Sequence, residues 1–278
     1  MRLPAVAALR SLVAIVVLAL PALAVNQAEA VTATPSTGAH GGDISWPQCP
    51  KGMGIKKRRT EGQPMPTKDA SFVVVGLTNG PGFHPNPCLA DQVAWVSSHH
   101  RYLAIYAMTT YPHAKKVATY GQSGPYDGST ARGALRNAAY AEATFNLSTM
   151  QSIGLVAPMI WVDVEPYPVS KWSKNHAANR RAVKAVLRAY TEAGYQVGIY
   201  TYLNGWRNVV GSWQLPSLPT WSTIGGGHAR QARHACGRGP SGGRDWLMQW
   251  WHHNRDKDVI CPAAAAQGAV MFAAPDQP

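Results

Sequence analysis

The stretch whose reading decides the fold is Pro158-Met159-Ile160-Trp161-Val162-Asp163-Val164-Glu165-Pro166. Its centre is a short apolar run, rich in β-branched and aromatic side chains, with a proline at each end. That pattern reads as a buried strand and is too short for an ordinary helix. Strand side chains alternate between faces, so Asp163 and Glu165 point one way while Val162 and Val164 point the other. Two carboxylates on one face at the end of a buried strand are costly, because each ionised form is desolvated beside a like charge. A strand running out into solvent escapes that cost; a strand ending in a cleft puts it to use. Barrel enzymes carry catalytic groups at the C-terminal ends of their strands, and the cleft is the reading taken here.

Working outward, apolar runs and helical stripes alternate. Ser71–Thr78 and Tyr102–Met108 read as strands, with an amphipathic helix over Cys88–His99 between them. Thr130–Ile153 and Asn175–Glu192 carry wide apolar stripes and flank the acidic strand. Gln196–Tyr202, Pro219–Thr223, Trp246–Trp251 and a last short run, Val259–Cys261, complete the strand set, with a short helix over Asn204–Trp213. Lys51–Lys68, Tyr111–Ser129 and Gly225–Gly243 read as loops. Regular strand–helix alternation predicts an α/β fold with a parallel sheet, here an irregular TIM-type (β/α) barrel.

The 278-residue chain opens like a secretory signal. Arg2 and Arg10 precede an apolar run, Leu12–Val25, and Ala28-Glu29-Ala30 is an A-x-A cleavage site. That run is shorter than the roughly 20 residues of a membrane span. The expected organisation is a signal over 1–30, a flexible lead-in over 31–40 and one barrel domain over 41–278, exported and released with no membrane span. Cys49, Cys88, Cys236 and Cys261 form an even set, which in an exported chain reads as two disulfides. Three pairings exist, and Cys49–Cys88 with Cys236–Cys261 joins neighbours in the expected topology. No C-x-x-C spacing supports zinc, and the adjacent pairs His99-His100 and His252-His253 point apart, so no metal and no cofactor is expected.

The formal net charge is +12, and removing Arg2, Arg10 and Glu29 leaves +11. Such a field attracts anionic polymers, with Lys56-Lys57-Arg58-Arg59 and the 230–244 loop as the basic segments. No specific nucleic-acid motif accompanies them. Against this background carboxylates are scarce, with 14 Asp and Glu in all, and a pair on one strand stands out.

In a closed barrel the strand ends bring Asp43, Asp163, Glu165, Tyr200, Tyr202, Trp221, Gln249 and Trp251 to one rim. Few acids, several aromatics and an amide around a cleft suit a carbohydrate. Glycosidic cleavage needs one carboxylic acid to protonate the leaving oxygen and a second group to meet the positive charge on the sugar. Aromatic faces pack on sugar rings and keep a polar handle.

Five motifs carry a family resemblance: Asp43-Ile44-Ser45-x-x-Gln48, Phe72-Val73-Val74-Val75, Asp163-Val164-Glu165, Gly198-Ile199-Tyr200-Thr201 and Gln249-Trp250. In this order, over residues 41–262, the chain resembles glycoside hydrolase family 25, lysozymes that cleave the N-acetylmuramic acid linkage of peptidoglycan. It also resembles exported bacterial proteins described as glycoside-hydrolase-like. The resemblance implies Glu165 as general acid, with Asp163 and Asp43 flanking it. They stabilise the charge on the sugar or position its 2-acetamido group, whose oxygen can itself be the nucleophile. It implies a peptidoglycan-like cell-wall polysaccharide as substrate, for which Tyr200, Tyr202, Trp221, Gln249 and Trp251 on the expected rim are the candidate binding residues. Asp256 or Asp258 matches a late family acid, in a polar segment that otherwise reads as a solvated turn. The second strand departs from the family, ending in Thr78-Asn79-Gly80 where an acid is common. A non-catalytic wall- or glycan-binding protein on the same barrel is the alternative.

Overall fold

The expected acidic strand is the fourth of eight that close into a barrel in sequence order in the computed structural model, which describes residues 34–80, 82–166 and 169–275. The expected signal lies outside the described residues. In chain order the elements are β1 (His40–Ile44), β2 (Phe72–Gly76), α1 (Leu89–Ser98), β3 (Tyr102–Met108), α2 (Ala114–Tyr120), α3 (Ala131–Ser152) and β4 (Met159–Asp163). There follow α4 (His176–Glu192), β5 (Gln196–Thr201), α5 (Leu203–Val210), β6 (Thr220–Gly226), α6 (Ala229–Ala235), β7 (Asp245–His252) and β8 (Arg255–Ile260).

Two expected loops hold helices. α2 buries no residue and α6 buries only Ala232, so neither has the apolar stripe by which a helix is recognised. The larger correction is the last strand. Strands β1 to β7 run parallel, but β8 is longer than expected and runs antiparallel to both β7 and β1. It returns through a two-residue turn, His253-Asn254, with φ of 51° and 55°. Positive φ at both central residues is the signature of a type I′ hairpin, whose twist matches that of the strands it joins.

The barrel has an inner and an outer apolar layer. Val73, Val75, Ile105, Ile160, Val162 and Ile199 face the helices, whereas Phe72, Val74, Met159, Trp161, Tyr200 and Trp221 fill the interior. The interior fits because large and small residues alternate. A Cβ on Gly198 would lie 2.4 Å from the Trp161 ring, so β5 passes Trp161 with no side chain there. Trp161 and Trp221 are 0% and 1% exposed, and truncating such a residue to Ala typically costs about 3–5 kcal/mol.

The long helices are capped as their sequences suggest. Thr130 Oγ1 accepts from Gly133 N at 3.0 Å and Asn175 Oδ1 accepts from Ala178 N at 3.1 Å. Cys49 is bonded to Cys88 and Cys236 to Cys261. The first ties the loop after β1 to the start of α1, the second the end of α6 to the end of β8. With 39 and 25 residues of separation, each restricts the unfolded chain by about 3–4 kcal/mol in the chain-entropy account.

Candidate active site

The motif Asp43-Ile44-Ser45-x-x-Gln48 has a local mechanical reason. Gln48 Oε1 accepts from Ser45 N at 2.8 Å, which stops β1 in a short 3-10 turn, Trp46–Gln48. Gln92 Nε2 donates to the Ser45 carbonyl at 2.7 Å. The strand end is held from two sides, and Asp43, one residue inside it, is directed into the barrel.

β4 ends on Asp163 with Glu165 two residues beyond it, and β8 supplies Asp256 and Asp258. In the sheet register Asp43 lies opposite Asp256, Asp256 opposite Trp251, and Asp258 opposite Gln249. Paired residues of antiparallel strands share a face, so these side chains converge. Asp43, Asp163 and Asp258 are 8%, 2% and 0% exposed, whereas Glu165 and Asp256 are half-buried at the mouth. The resemblance offered Asp256 or Asp258 as a late family acid, against the reading of their polar segment as a solvated turn. The structure places both in a strand and inside the site. The available signal was their two-residue spacing, the same as that of Asp163 and Glu165; flanking by Arg255 and Lys257 masked it.

A chain of hydrogen bonds links the buried acids. Tyr200 OH donates to Gln249 Oε1 at 2.8 Å, and Gln249 Nε2 donates to Asp43 Oδ2 at 2.8 Å. Asp43 and Asp258 share a further hydrogen bond, and Trp221 Nε1 donates to Asp258 Oδ1 at 2.8 Å. Burial, then the charges of Asp256 and Asp258, push the Asp43 carboxyl well above the usual carboxylate range. Asp258 is raised to about 8, mainly by burial. Asp163 is raised well above its ordinary value by burial and then by Glu165, and its Oδ1 has no hydrogen-bond partner among the described residues. At the mouth the shifts are smaller: burial and then Asp256 bring Glu165 to about 7, and burial brings Asp256 to about 6.

The residues expected to bind sugar divide into two sets. Tyr202 lines a cavity of about 460 Å³ with Glu165, Leu203, Asn204, Thr223, Ile224 and Gly225. Trp251 is 52% exposed at the same mouth. Tyr200, Trp221 and Gln249 are buried below, so no ring face of Tyr200 or Trp221 is open to a sugar. They form the floor and fix the acids. Tyr106 was not foreseen. It is half-buried between Asp43 and Trp221, shares a hydrogen bond with Ser45 and meets the Trp221 ring edge-on at 5.7 Å.

The departures at the end of β2 also find a role. Asn79 Oδ1 accepts from Ile55 N at 2.7 Å and its Nδ2 donates to the Arg58 carbonyl at 3.1 Å, so this residue anchors the 51–68 loop. Within the basic run, Arg58 turns inward to the Val169 carbonyl at 2.5 Å and Arg59 caps the Gly52 and Gly54 carbonyls. No group of His, Cys, Asp and Glu among the described residues has the geometry to hold a metal ion. No described helix is long and apolar enough to cross a membrane.

A family model described as Lysozyme-like protein 1 matches residues 133–234, from α3 through α6. Lysozyme-like protein 5 of Caenorhabditis elegans is 30% identical over 66 residues, covering 24% of this chain and 29% of that protein. The chain therefore spans under a third of that relative's length. Three solved structures share the fold. They are a muramidase from Trichobolus zukalii (TM-score 0.55, 14% identity, 84% of this chain and 98% of that one) and a family GH25 lysozyme from Aspergillus fumigatus (0.53, 14%, 81% and 94%). The third is the modular Cpl-1 endolysin complexed with a peptidoglycan analogue (0.52, 18%, 81% and 55%). At these identities the likeness is one of fold, and the fold is the one the five motifs predict.

Proposed function

We propose that the protein is an exported glycoside hydrolase cleaving a bacterial cell-wall polysaccharide at an amino-sugar linkage, with peptidoglycan as substrate. The observation that carries this reading is the layering of acids. Glu165 and Asp256 stand at an open mouth, and Asp43, Asp163 and Asp258 lie buried beneath, in a barrel shared with muramidases and a GH25 lysozyme. Export rests on the signal-like N-terminus and on two disulfides, which persist in oxidising compartments.

Glu165, with a value of about 7, holds a proton at neutral pH and has one face on the cavity. It protonates the leaving glycosidic oxygen as the bond from that oxygen to C1 breaks. The substrate's acetamido oxygen closes on C1. Asp163, beside Glu165 and with no partner on Oδ1 among the described residues, positions that acetamido group. Asp256, the least raised of the four acids on β4 and β8, is ionised at pH 7 and faces the positive charge that develops on the sugar ring. Water then attacks C1, restoring the acetamido group, and returns a proton to Glu165. Asp43 and Asp258 set the field from below, and Trp251 and Tyr202 hold sugar rings at the mouth.

The test is release of reducing ends from purified peptidoglycan by the chain lacking residues 1–30, beside Glu165→Gln. Release by the native chain and none by the folded variant supports the reading. Retention on insoluble wall with no release by either moves the protein to a binding role on the same barrel.

A further inference from the structure

A second cavity, of about 370 Å³, opens between the loops that follow β2, β3 and β4. Arg58, His84, His113, Lys116 and Lys171 line it, and no carboxylate does among the described residues. It adjoins the acidic site along the rim: Thr109 N donates to the Asp163 carbonyl at 2.9 Å, and the next residue, Thr110, lies on the cavity wall.

The lining side chains are held in place. Arg58 is fixed by its bond to the Val169 carbonyl, and His113 Nε2 lies 2.9 Å from the Lys171 carbonyl. Lys116 Nζ stands 4.0 Å above the Phe83 ring. Phe83 has a φ of 64°, a conformation unusual for a bulky residue, and its ring stacks on Tyr120 at 4.4 Å. Strain of this sort persists only where the surroundings over-determine it, and it clusters at ligand clamps. The nearby carboxylate, Glu142, is 1% exposed and accepts from Thr110 N and Oγ1 at 3.0 and 2.9 Å. Burial raises it to about 8, so at pH 7 it is largely neutral and does not cancel the cluster. Burial also lowers both Lys116 and His84, with Glu142 opposing part of the shift at Lys116, so the fixed positive charge of the cavity comes from Arg58, Lys116 and Lys171.

We infer that this cavity is an anion-binding subsite of the cleft, taking a carboxylate or phosphodiester group carried by the wall polysaccharide. The inference rests on the glycan reading above and specifies its substrate as an anionic wall polymer. Asp256, ionised at the mouth beside Glu165, repels such a group, whereas the neighbouring cavity attracts it. The polymer is therefore oriented with its neutral rings on the acids and its anionic substituent on the cations.

Calorimetry on the Glu165→Gln variant at low salt tests this with three probes: a muropeptide with free stem carboxylates, the same fragment amidated, and a glycerol-phosphate oligomer. At least one anionic probe is expected to bind about tenfold more tightly than the amidated fragment, and Lys116→Gln with Lys171→Gln should remove that advantage. Preference for the muropeptide assigns a carboxylate; preference for the oligomer assigns a phosphodiester. Equal or undetectable binding of all three probes overturns the subsite, as does a preference that survives the double substitution. Turnover is read separately on the native chain. Hydrolysis without anion preference removes the subsite alone, and anion preference without hydrolysis removes the enzymatic reading alone.

Discussion

Strands β4 and β8 each deliver two carboxylates, spaced two residues apart, into one cleft, yet they share almost nothing else. β4 is buried along its length and runs parallel to its neighbours. β8 is charged at its start, half-buried, and antiparallel on both sides. Because the strands run in opposite directions, the later acid of β4 and the earlier acid of β8 are the ones at the mouth. The difference teaches that depth sets the chemistry. The two mouth acids, Glu165 and Asp256, are raised to about 7 and about 6, whereas Asp258 reaches about 8 and Asp163 lies well above its ordinary value. Desolvation heads the causes in all four.

That comparison can be broken most directly at Glu165. Glu165→Gln should lower hydrolysis of peptidoglycan by at least about 100-fold, the scale of a lost general acid, with an unchanged circular dichroism spectrum. A rate within a few-fold of native would show that the mouth acid on β4 has no special role. Its counterpart on β8 should act through charge. Asp256→Asn removes the neighbour that raises Glu165, so the alkaline limb of the pH–rate profile, expected near pH 7, should move to lower pH; a limb that stays in place disproves the coupling.

The same layering predicts a pH dependence of stability. A carboxyl whose folded value is raised keeps its proton where the unfolded chain has lost it. Its stabilisation is complete below the unfolded value near 4 and is lost as pH rises through the folded values of about 6 to 8. Tm should fall by roughly 5–10 °C between pH 5 and 8. Glu142→Gln, outside the cleft, should flatten part of that fall, and a Tm that rises over this range would contradict the assignment. The smallest effect is expected at the open rim. Trp251→Ala should raise KM about tenfold or less with kcat nearly unchanged, since its exposed ring contributes binding common to ground and transition states.

The β4 side of the comparison was legible in sequence. An apolar run, two prolines and alternating faces define it, and its acids needed only the period of a strand. So were the long capped helices α3 and α4, whose apolar stripes are wide. Arg255-Asp256-Lys257-Asp258 was not legible, because strand alternation there separates two charges of opposite sign, not an apolar from a polar side. The helices α2 and α6 were lost for a related reason, having almost nothing to bury. For the expected rim aromatics, sequence does not show depth. Tyr200 and Trp221 differ from Tyr202 and Trp251 in how far along their strands they stand, and only the closed barrel shows which ring is floor and which is mouth.

The His253-Asn254 turn carries a consequence for the sign of the whole cleft. Along β8 acidic and basic side chains alternate, with Asp256 and Asp258 inward and Arg255 and Lys257 on the opposite face. A slip of one residue in the pairing with β7 and β1 would exchange the two sets. The cleft would then present two cations to the space between Asp43 and Glu165, and its all-acid lining would become mixed. A single inserted residue at the hairpin tip is thus enough to convert an acid-lined cavity into a zwitterionic one without altering any residue that lines it from the other strands.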